Sequence, residues 1–265
     1  MIQINGQKIN INHYPDGSLL LKLAIYGDKL EIQWFYKNDA ELFVLICAVK
    51  HLRRINPGAN ISLYLPYIPH SRMDRIHKDC DVFTLKYFAD IINSLEFDKV
   101  TVLDPHSSVS IALINNIHIL SPLPYIKHTM DLILDMEGQA ALLYYPDSNA
   151  AKKYSEIIPL PYCFGNKKHN WDSGEITGLD IIDNSNIIAD RNILMIDDII
   201  SYGGSMYYSA LALKKLGAKN IYAFASHVEN SILEGNLIES GLVSRIYTTK
   251  SLFTGNHSLI SVIQL

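Results

Sequence analysis

Short apolar runs alternate along this chain with longer stretches of helical spacing, and this alternation constrains the fold more than any other feature. The runs are nearly continuous in apolar side chains and are Ile61–Leu65, Lys99–Leu103, Ala141–Tyr145, Ile193–Ile196 and Ile221–Ala225. Such runs are typical of strands covered on both faces, as in parallel sheets. The sequence therefore predicts strands at these positions.

The stretches between the runs carry apolar residues that fall on one face of a helix. The sets are Leu42, Leu45, Ile46, Val49 and Leu52; Phe83, Tyr87, Phe88, Ile91 and Ile92; and Tyr208, Leu211, Leu213 and Leu216, with Gly217 as the expected C-cap. Strand, helix and strand in this order predict βαβ units with right-handed crossovers. We therefore expect an α/β protein with mostly parallel sheets.

The alternating pattern runs through the chain twice. Ser121-Pro122-Leu123-Pro124 lies between the halves, and prolines so close together are expected to resist both a helix and a central strand. We predict two doubly wound, mostly parallel-sheet domains, 1–122 and 123–265. In such sheets ligands bind beyond the carboxyl ends of the strands, so the residues after each run are the first candidates for a site.

Composition and charge exclude several classes of protein. Apolar residues make up 48% of the 265 residues and charged residues 19%, which excludes a disordered or collagen-like chain. The net charge of −4 argues against a broad basic surface for nucleic acid. The chain shows neither the apolar block of a signal peptide nor an apolar run long enough for a membrane span. We expect a globular, cytoplasmic protein without nucleic-acid or membrane partners.

The residues after the run Ile193–Ile196 combine two features that suit a phosphorylated sugar. Asp197 and Asp198 are adjacent carboxylates, which repel each other unless a cation or hydroxyl groups bind there. A turn with Gly203 and Gly204 then leads into a helix, whose N-terminus and backbone N–H groups can hold a phosphate. The alternative is an ordinary capped turn with a solvated acid pair. The two features together favour a ribose-phosphate site.

Several segments resemble those of a known family, in the same order along the chain. Ile196–Ser205 is similar to the ribose-phosphate loop of type I phosphoribosyltransferases and of ribose-phosphate pyrophosphokinases. The pyrophosphokinases alone have counterparts of Leu65–Arg75, which is similar to a signature around an Arg-Gln-Asp-Arg core. Leu103–His106, Tyr145–Asp147 and Tyr14–Gly17 resemble further elements of the pyrophosphokinases. His227–Asn230 and Tyr247–Ser251 look like their shorter, phage-type branch.

The resemblance implies an ATP-dependent pyrophosphokinase with a phosphoribosyltransferase-type fold. Such an enzyme transfers the β,γ-diphosphate of ATP to the anomeric hydroxyl of ribose 5-phosphate and releases AMP. It implies that Asp197 and Asp198 bind the ribose hydroxyls. The residues implied for the sugar phosphate are Ser201, Tyr202, Gly203, Gly204 and Ser205. Those implied for ATP are Tyr14, Asp16, Arg72, Asp74 and His106.

The resemblance also implies a metal and a mobile segment. His106 and Asp147 would bind Mg²⁺, although a lone histidine after a strand is more often structural. Lys167 and His169 would lie on a flap, Lys167–Gly174, and would stabilise charge on the reacting phosphates together with Arg72. Composition alone indicates a surface loop for this segment, and a solvated charged turn around Arg72.

Departures from the family pattern leave alternatives open. Ser201 replaces an acidic residue, Tyr202 adds a ring at the rim of the loop, His169 stands where the family has arginine, and Ser18 replaces a glutamate. The acceptor could instead be ADP-ribose, as in phage NAD resynthesis, and the protein would then act in the cytoplasm of a host cell. A phosphoribosyltransferase and a non-catalytic regulatory relative are the other readings. The resemblance also implies a homo-oligomer, a dimer or a hexamer.

Overall fold

The computed structural model describes residues 1–169, 176–182 and 187–264, with the backbone alone at 166–169, 176–179 and 182. The chain divides into two compact units, Met1–Ser121 and Pro122–Leu265. Each unit is built around its own sheet, and each is described by itself.

The first unit contains a mostly parallel sheet with the order β2-β1-β5-β6-β7-β8. Its strands are β1 (Ile2–Ile4), β2 (Gln7–Lys8), β3 (Ile11–His13), β4 (Leu19–Leu21), β5 (Lys29–Trp34), β6 (Asn60–Tyr64), β7 (Lys99–Leu103) and β8 (Ile117–Leu120). Its helices are α1 (Ala40–Ile55), α2 (Thr84–Ser94) and α3 (Ser108–Leu113). Strands β5 to β8 are parallel, whereas β1 and β2 add an antiparallel edge and β3 and β4 form a separate hairpin.

The second unit contains a sheet with the order β11-β10-β9-β12-β13-β14-β15. Its strands are β9 (Leu142–Tyr145), β10 (Tyr162–His169), β11 (Ile176–Ile182), β12 (Ile193–Ile200), β13 (Ile221–Val228), β14 (Arg245–Thr249) and β15 (Ile260–Ile263). Its helices are α4 (Leu123–Glu137), α5 (Ser148–Ser155), α6 (Gly204–Lys215) and α7 (Asn236–Glu239), with a 3₁₀ turn at Asn230–Glu234. All neighbouring strands are parallel except the pair β10 and β11.

Apolar residues of the second sheet are buried on both of its faces. Met195 and Ala223 belong to a buried cluster with α6, whereas Ile196 and Phe224 belong to another with α4 and α5. Neighbouring residues of a strand point to opposite faces, so a strand with helices on both sides is apolar throughout. In the first unit, Ile32, Leu63 and other strand residues pack in one cluster with α1 and α2. The predicted α/β class with mostly parallel sheets is confirmed.

Some local expectations were wrong. Strand β12 does not end at Ile196 but continues to Ile200. Pro122 and Pro124 do not exclude a helix but begin one, because proline at the first helical turn sacrifices no hydrogen bond. Within the described residues, none of the helices has the length and apolarity to cross a bilayer.

Candidate functional site

Asp197 and Asp198 lie inside strand β12 rather than after it. The backbone N–H of Asp198 donates a hydrogen bond to Oδ1 of Asp197 at 2.9 Å. This N–H group stabilises the charge of Asp197 beside its acidic neighbour.

Lys153 of α5 forms an ion pair with the more buried of these acids. Its Nζ lies 3.2 Å from Oδ2 of Asp198, whose side chain is only 10% exposed. A buried carboxylate is costly without a counter-charge, and the lysine supplies one. The second unit itself therefore compensates the charge of Asp198.

The turn after β12 has the geometry of an anion site. Gly203 has a φ of 80°, a left-handed conformation that glycine adopts without strain, and it forms the N-cap of α6 without a side-chain cap hydrogen bond. The first N–H groups of a helix have no partner within the helix and carry partial positive charge. Gly204, the first residue of α6, has open space where a Cβ would stand. A phosphate could therefore approach the backbone here.

Asp147, expected as a metal ligand, caps a helix. It lies two residues after β9, the strand next to β12, and so at the same carboxyl edge of the sheet as the 201–205 turn. Its Oδ1 accepts hydrogen bonds from the N–H groups of Asn149 at 3.1 Å and Ala150 at 3.0 Å. These bonds fix the carboxylate at the N-terminus of α5, and capping alone explains an aspartate at this position.

In the first unit, Asp74 links two loops that follow neighbouring strands. Its Oδ1 lies 2.8 Å from Nε of Arg75, and its Oδ2 accepts a hydrogen bond of 2.7 Å from Oγ of Ser107. The hydrogen bond from Arg75, with further contributions from Ser107 and from the charges of Arg75 and His106, holds the pKa of Asp74 below its usual value. The carboxylate therefore ties the segment after β6 to the segment after β7.

Arg72 and His106 are exposed at the carboxyl edge of the first sheet. Arg72 lies in the segment after β6, and His106 follows β7, which pairs with β6. Between β7 and His106, Asp104 is buried with a φ of 44°. An exposed guanidinium and an exposed imidazole at one sheet edge are suitable groups for the phosphates of a nucleotide.

Tyr14 and Asp16 occupy the turn of the β3–β4 hairpin. Oδ1 of Asp16 accepts hydrogen bonds from the backbone N–H of Ser18 at 2.9 Å and from its hydroxyl at 2.7 Å. These bonds, chiefly the one from the hydroxyl, lower the pKa of Asp16. Ser18, which replaces a family glutamate, therefore holds the neighbouring aspartate in place. The ring of Tyr14 is exposed.

Lys167 and His169 belong to a strand, not to a loop as composition indicated. Both are residues of β10, where Lys167 is paired with Leu179 and His169 with Ile176 of β11. Their side chains lie outside the described part of the structure, and so do residues 170–174 of the expected flap. Their predicted roles stay predictions.

The residues predicted to bind metal are His106 and Asp147. In the described ranges 1–169, 176–182 and 187–264, no cluster of three or more histidine, cysteine, aspartate or glutamate side chains is placed to hold an ion. Mg²⁺ commonly keeps several waters and takes one or two carboxylates together with substrate phosphates. The donors described here fit a Mg²⁺ that arrives with a nucleotide.

Sequence reasoning missed three polar residues that contact predicted site residues in one unit or the other. Lys153 pairs with Asp198, Ser107 binds Asp74, and Glu229 accepts a hydrogen bond from Ser201. Glu229 follows β13, the strand next to β12, and could have been found from its place after an apolar run. Lys153 lies in the last turn of α5, where a lysine is common and gives no comparable signal.

Comparisons with known proteins agree with the resemblance. No family model matches the chain. The ribose-phosphate pyrophosphokinase of Pyrococcus furiosus is 27% identical over 224 residues, which cover 83% of this chain and 77% of the relative. That of Sulfurisphaera tokodaii is 24% identical over 262 residues, covering 95% of this chain and 87% of the relative.

A solved structure shares the fold. The phosphoribosylpyrophosphate synthetase from Mycobacterium smegmatis matches with a TM-score of 0.77 and 16% identity, over 97% of this chain and 85% of that one. The sequence relatives cover most of the chain and are all ribose-phosphate pyrophosphokinases. The fold of a solved synthetase matches nearly all of the chain. The chain is therefore similar to ribose-phosphate pyrophosphokinases over most of its length, and it is an enzyme of the diphosphotransferase type.

Proposed function

We propose that the protein transfers the β,γ-diphosphate of ATP to the anomeric hydroxyl of ribose 5-phosphate. The anomeric oxygen attacks the β-phosphorus, the bond from that phosphorus to the oxygen bridging the α- and β-phosphates breaks, and AMP leaves. The hydroxyl proton passes to solvent. The observation that carries the proposal is the order of groups in the chain. Two carboxylates lie near the end of β12, and a left-handed glycine and a helix N-terminus without a side-chain cap follow the strand.

The second unit would hold the sugar phosphate. Asp197 and Asp198 would accept hydrogen bonds from the ribose hydroxyls, and the backbone N–H groups at 203–205 would bind the 5-phosphate. This assignment is supported by the polarity of each group, since carboxylates accept from hydroxyls and helix N-termini attract anions. Binding at both ends fixes the sugar's orientation and presents its anomeric hydroxyl for attack.

The first unit would supply contacts to ATP. Arg72 and His106 would contact the phosphates, with Asp74 holding the two loops in register. Tyr14 and Asp16 would contact the nucleoside, as the resemblance implies. Phosphoryl transfer depends mainly on position and on neutralising charge, so the cations suffice and no covalent nucleophile is required. Lys167 and His169 are proposed to add positive charge at the transferring phosphates.

Mg²⁺ would accompany the nucleotide, and the ligand roles of His106 and Asp147 stay predictions from the resemblance. When bound, the ion would neutralise charge on the phosphates. The remaining ligands would be phosphate oxygens and water, in keeping with the sparse donors of the described residues.

ADP-ribose is the second candidate acceptor, and one observation favours it. The ring of Tyr202 is 58% exposed and stands beside the phosphate turn. An exposed aromatic ring there could stack on a base joined through the esterified 5-phosphate. Free ribose 5-phosphate leaves this ring without a function.

Product analysis with each acceptor tests the proposal. The protein is incubated with ATP and Mg²⁺ and either ribose 5-phosphate or ADP-ribose, and AMP is quantified against the sugar diphosphate formed. We expect one AMP for each product with ribose 5-phosphate. AMP with ADP-ribose alone would move the assignment to the second acceptor. No AMP with either, together with pyrophosphate release from phosphoribosyl pyrophosphate and a base, would identify a phosphoribosyltransferase.

Matched variants connect that activity to the site. Changing Asp198 to asparagine removes the charge that receives the ribose hydroxyls, so kcat/KM for ribose 5-phosphate should fall about tenfold or more. Asp190→Asn is the control, because Asp190 is exposed with a left-handed φ of 58°, which asparagine adopts readily. Equal activity of both variants would contradict the role of Asp198.

A further inference from the structure

A carboxylate from the segment after the neighbouring strand reaches the phosphate turn. Ser201 lies at the start of this turn, directly after β12. Its hydroxyl donates a hydrogen bond of 2.6 Å to Oε2 of Glu229, the first residue after β13. Oγ of Ser231 lies 3.3 Å from the same carboxylate oxygen and 3.2 Å from Oγ of Ser201. One carboxylate oxygen therefore connects two hydroxyl groups.

Backbone contacts join the same two segments. The N–H of Glu229 donates to the carbonyl of Ile200 at 2.8 Å. A Cβ at Gly235 would stand 1.8 Å from the carbonyl oxygen of Tyr202, and one at Gly203 would stand 3.1 Å from side-chain atoms of Leu237. The segment 229–237 therefore packs directly against the backbone of the turn, and Glu229 lies where this packing begins.

The direction of the hydrogen bond restricts what Ser201 can do. A serine hydroxyl has one proton, and here the proton points to a carboxylate, which is a stronger acceptor than a neutral group. The side chain of Ser201 then has no proton left to donate to a phosphate. A phosphate at the turn would be bound by backbone N–H groups, and their aim depends on how firmly the turn is held.

We propose that Glu229 is a positioning residue for the sugar phosphate, acting on the turn through Ser201 and Ser231. The proposal rests on the function given above, since it assigns the turn to the phosphate of the acceptor. In this proposal Glu229 does not touch the substrate. It holds in position the backbone of the 201–205 turn, which does.

The test is a split between the two substrates. In Glu229→Ala the Ser201 hydroxyl loses a charged acceptor, so the KM for ribose 5-phosphate should rise about tenfold. The KM for ATP should stay within twofold of its original value. Glu229→Gln keeps an acceptor oxygen in place and should recover most of the loss. Glu234→Gln is the control, because Glu234 lies on the same segment and is exposed.

A double variant separates positioning from a general structural effect. Ser201→Ala should raise the same KM, and Ser201→Ala with Glu229→Ala should be no worse than the more affected single variant, because both changes remove one interaction. Effects that multiply, or KM values for both substrates that rise equally, would overturn the proposal. If Glu229→Ala does not fold, Ser201→Ala and Glu229→Gln provide the same comparison.

The outcome also distinguishes this inference from the proposed function. An unmodified protein that forms no AMP from ATP and ribose 5-phosphate would contradict the function itself. An active protein whose Glu229→Ala variant has unchanged KM values would contradict the positioning role alone.

Discussion

Nζ of Lys153 on α5 lies 3.2 Å from Oδ2 of Asp198 on β12. The two residues are 45 positions apart in sequence, and the packing of α5 against the sheet brings them together. The lysine compensates the charge of a largely buried carboxylate.

Changing Lys153 to methionine should impair use of the sugar. The variant removes the cation but keeps a side chain of similar length, so we expect the KM for ribose 5-phosphate to rise about tenfold and the free energy of unfolding to fall by about 1 kcal/mol. Steady-state kinetics and urea unfolding measure the two effects. Lys152→Met is the control, because Lys152 is the exposed neighbour on the same helix. Identical behaviour of the two variants would contradict the role of the ion pair.

Asp147 offers a way to separate helix capping from metal binding. Asparagine caps a helix nearly as well as aspartate, whereas alanine does not, so Asp147→Ala should cost about 1 kcal/mol of stability and Asp147→Asn only a few tenths. Both variants lack the carboxylate charge, and both should require more Mg²⁺ for half-maximal activity. Thermal unfolding and a Mg²⁺ titration give the two readouts. An unchanged Mg²⁺ requirement in Asp147→Asn would leave capping as the function of Asp147.

Asp74 should contribute stability that depends on pH. Its pKa is lowered in the folded state, chiefly by the hydrogen bond from Arg75, so its interactions stabilise the fold above the pKa of the unfolded chain, about 4. That stabilisation is lost as the pH falls through the lower, folded value. The difference in free energy of unfolding between the protein and Asp74→Asn should therefore be largest near neutral pH and shrink in acid. A difference that stays constant on acidification would be the contrary result.

Gly235 should tolerate no side chain. A Cβ there would lie 1.8 Å from the carbonyl oxygen of Tyr202, so Gly235→Ala must separate the segment 229–237 from the turn. We expect a loss of about 2 kcal/mol or more in the free energy of unfolding, as for other backbone clashes. Gly204→Ala is the control for stability, because a Cβ at Gly204 meets nothing within 4 Å. Equal stability of the two variants would show that the turn is not held by this contact.

Much of the fold could be predicted because the local signals are strong. The apolar run Lys99–Leu103 is β7 with the predicted bounds, and the spacing of Leu42 to Leu52 identifies the buried face of α1. The turn with Gly203 could also be predicted, because two adjacent glycines at the start of a helix are visible in the sequence itself. Periodicity and turn chemistry are local properties, so one sequence displays them.

The parts that escaped prediction depend on tertiary contacts or on exposure. Strand β10 ends in Lys167, Lys168 and His169, a polar stretch that composition assigns to a loop, and its pairing with β11 cannot be recognised from an apolar pattern. The contacts of Glu229 with Ser201 and of Lys153 with Asp198 join residues 28 and 45 positions apart. Only the fold determines which polar residues so far apart in sequence come into contact.

The fate of each phosphate of ATP tests the central claim most directly. The protein is incubated with Mg²⁺, ribose 5-phosphate and ATP labelled either at the α- or at the β-phosphorus, and the products are separated. The account predicts that the β-label moves onto the sugar as part of a diphosphate at C1, while the α-label remains in AMP. A β-label that remains in ADP, or that appears as free pyrophosphate without any sugar diphosphate, would contradict it.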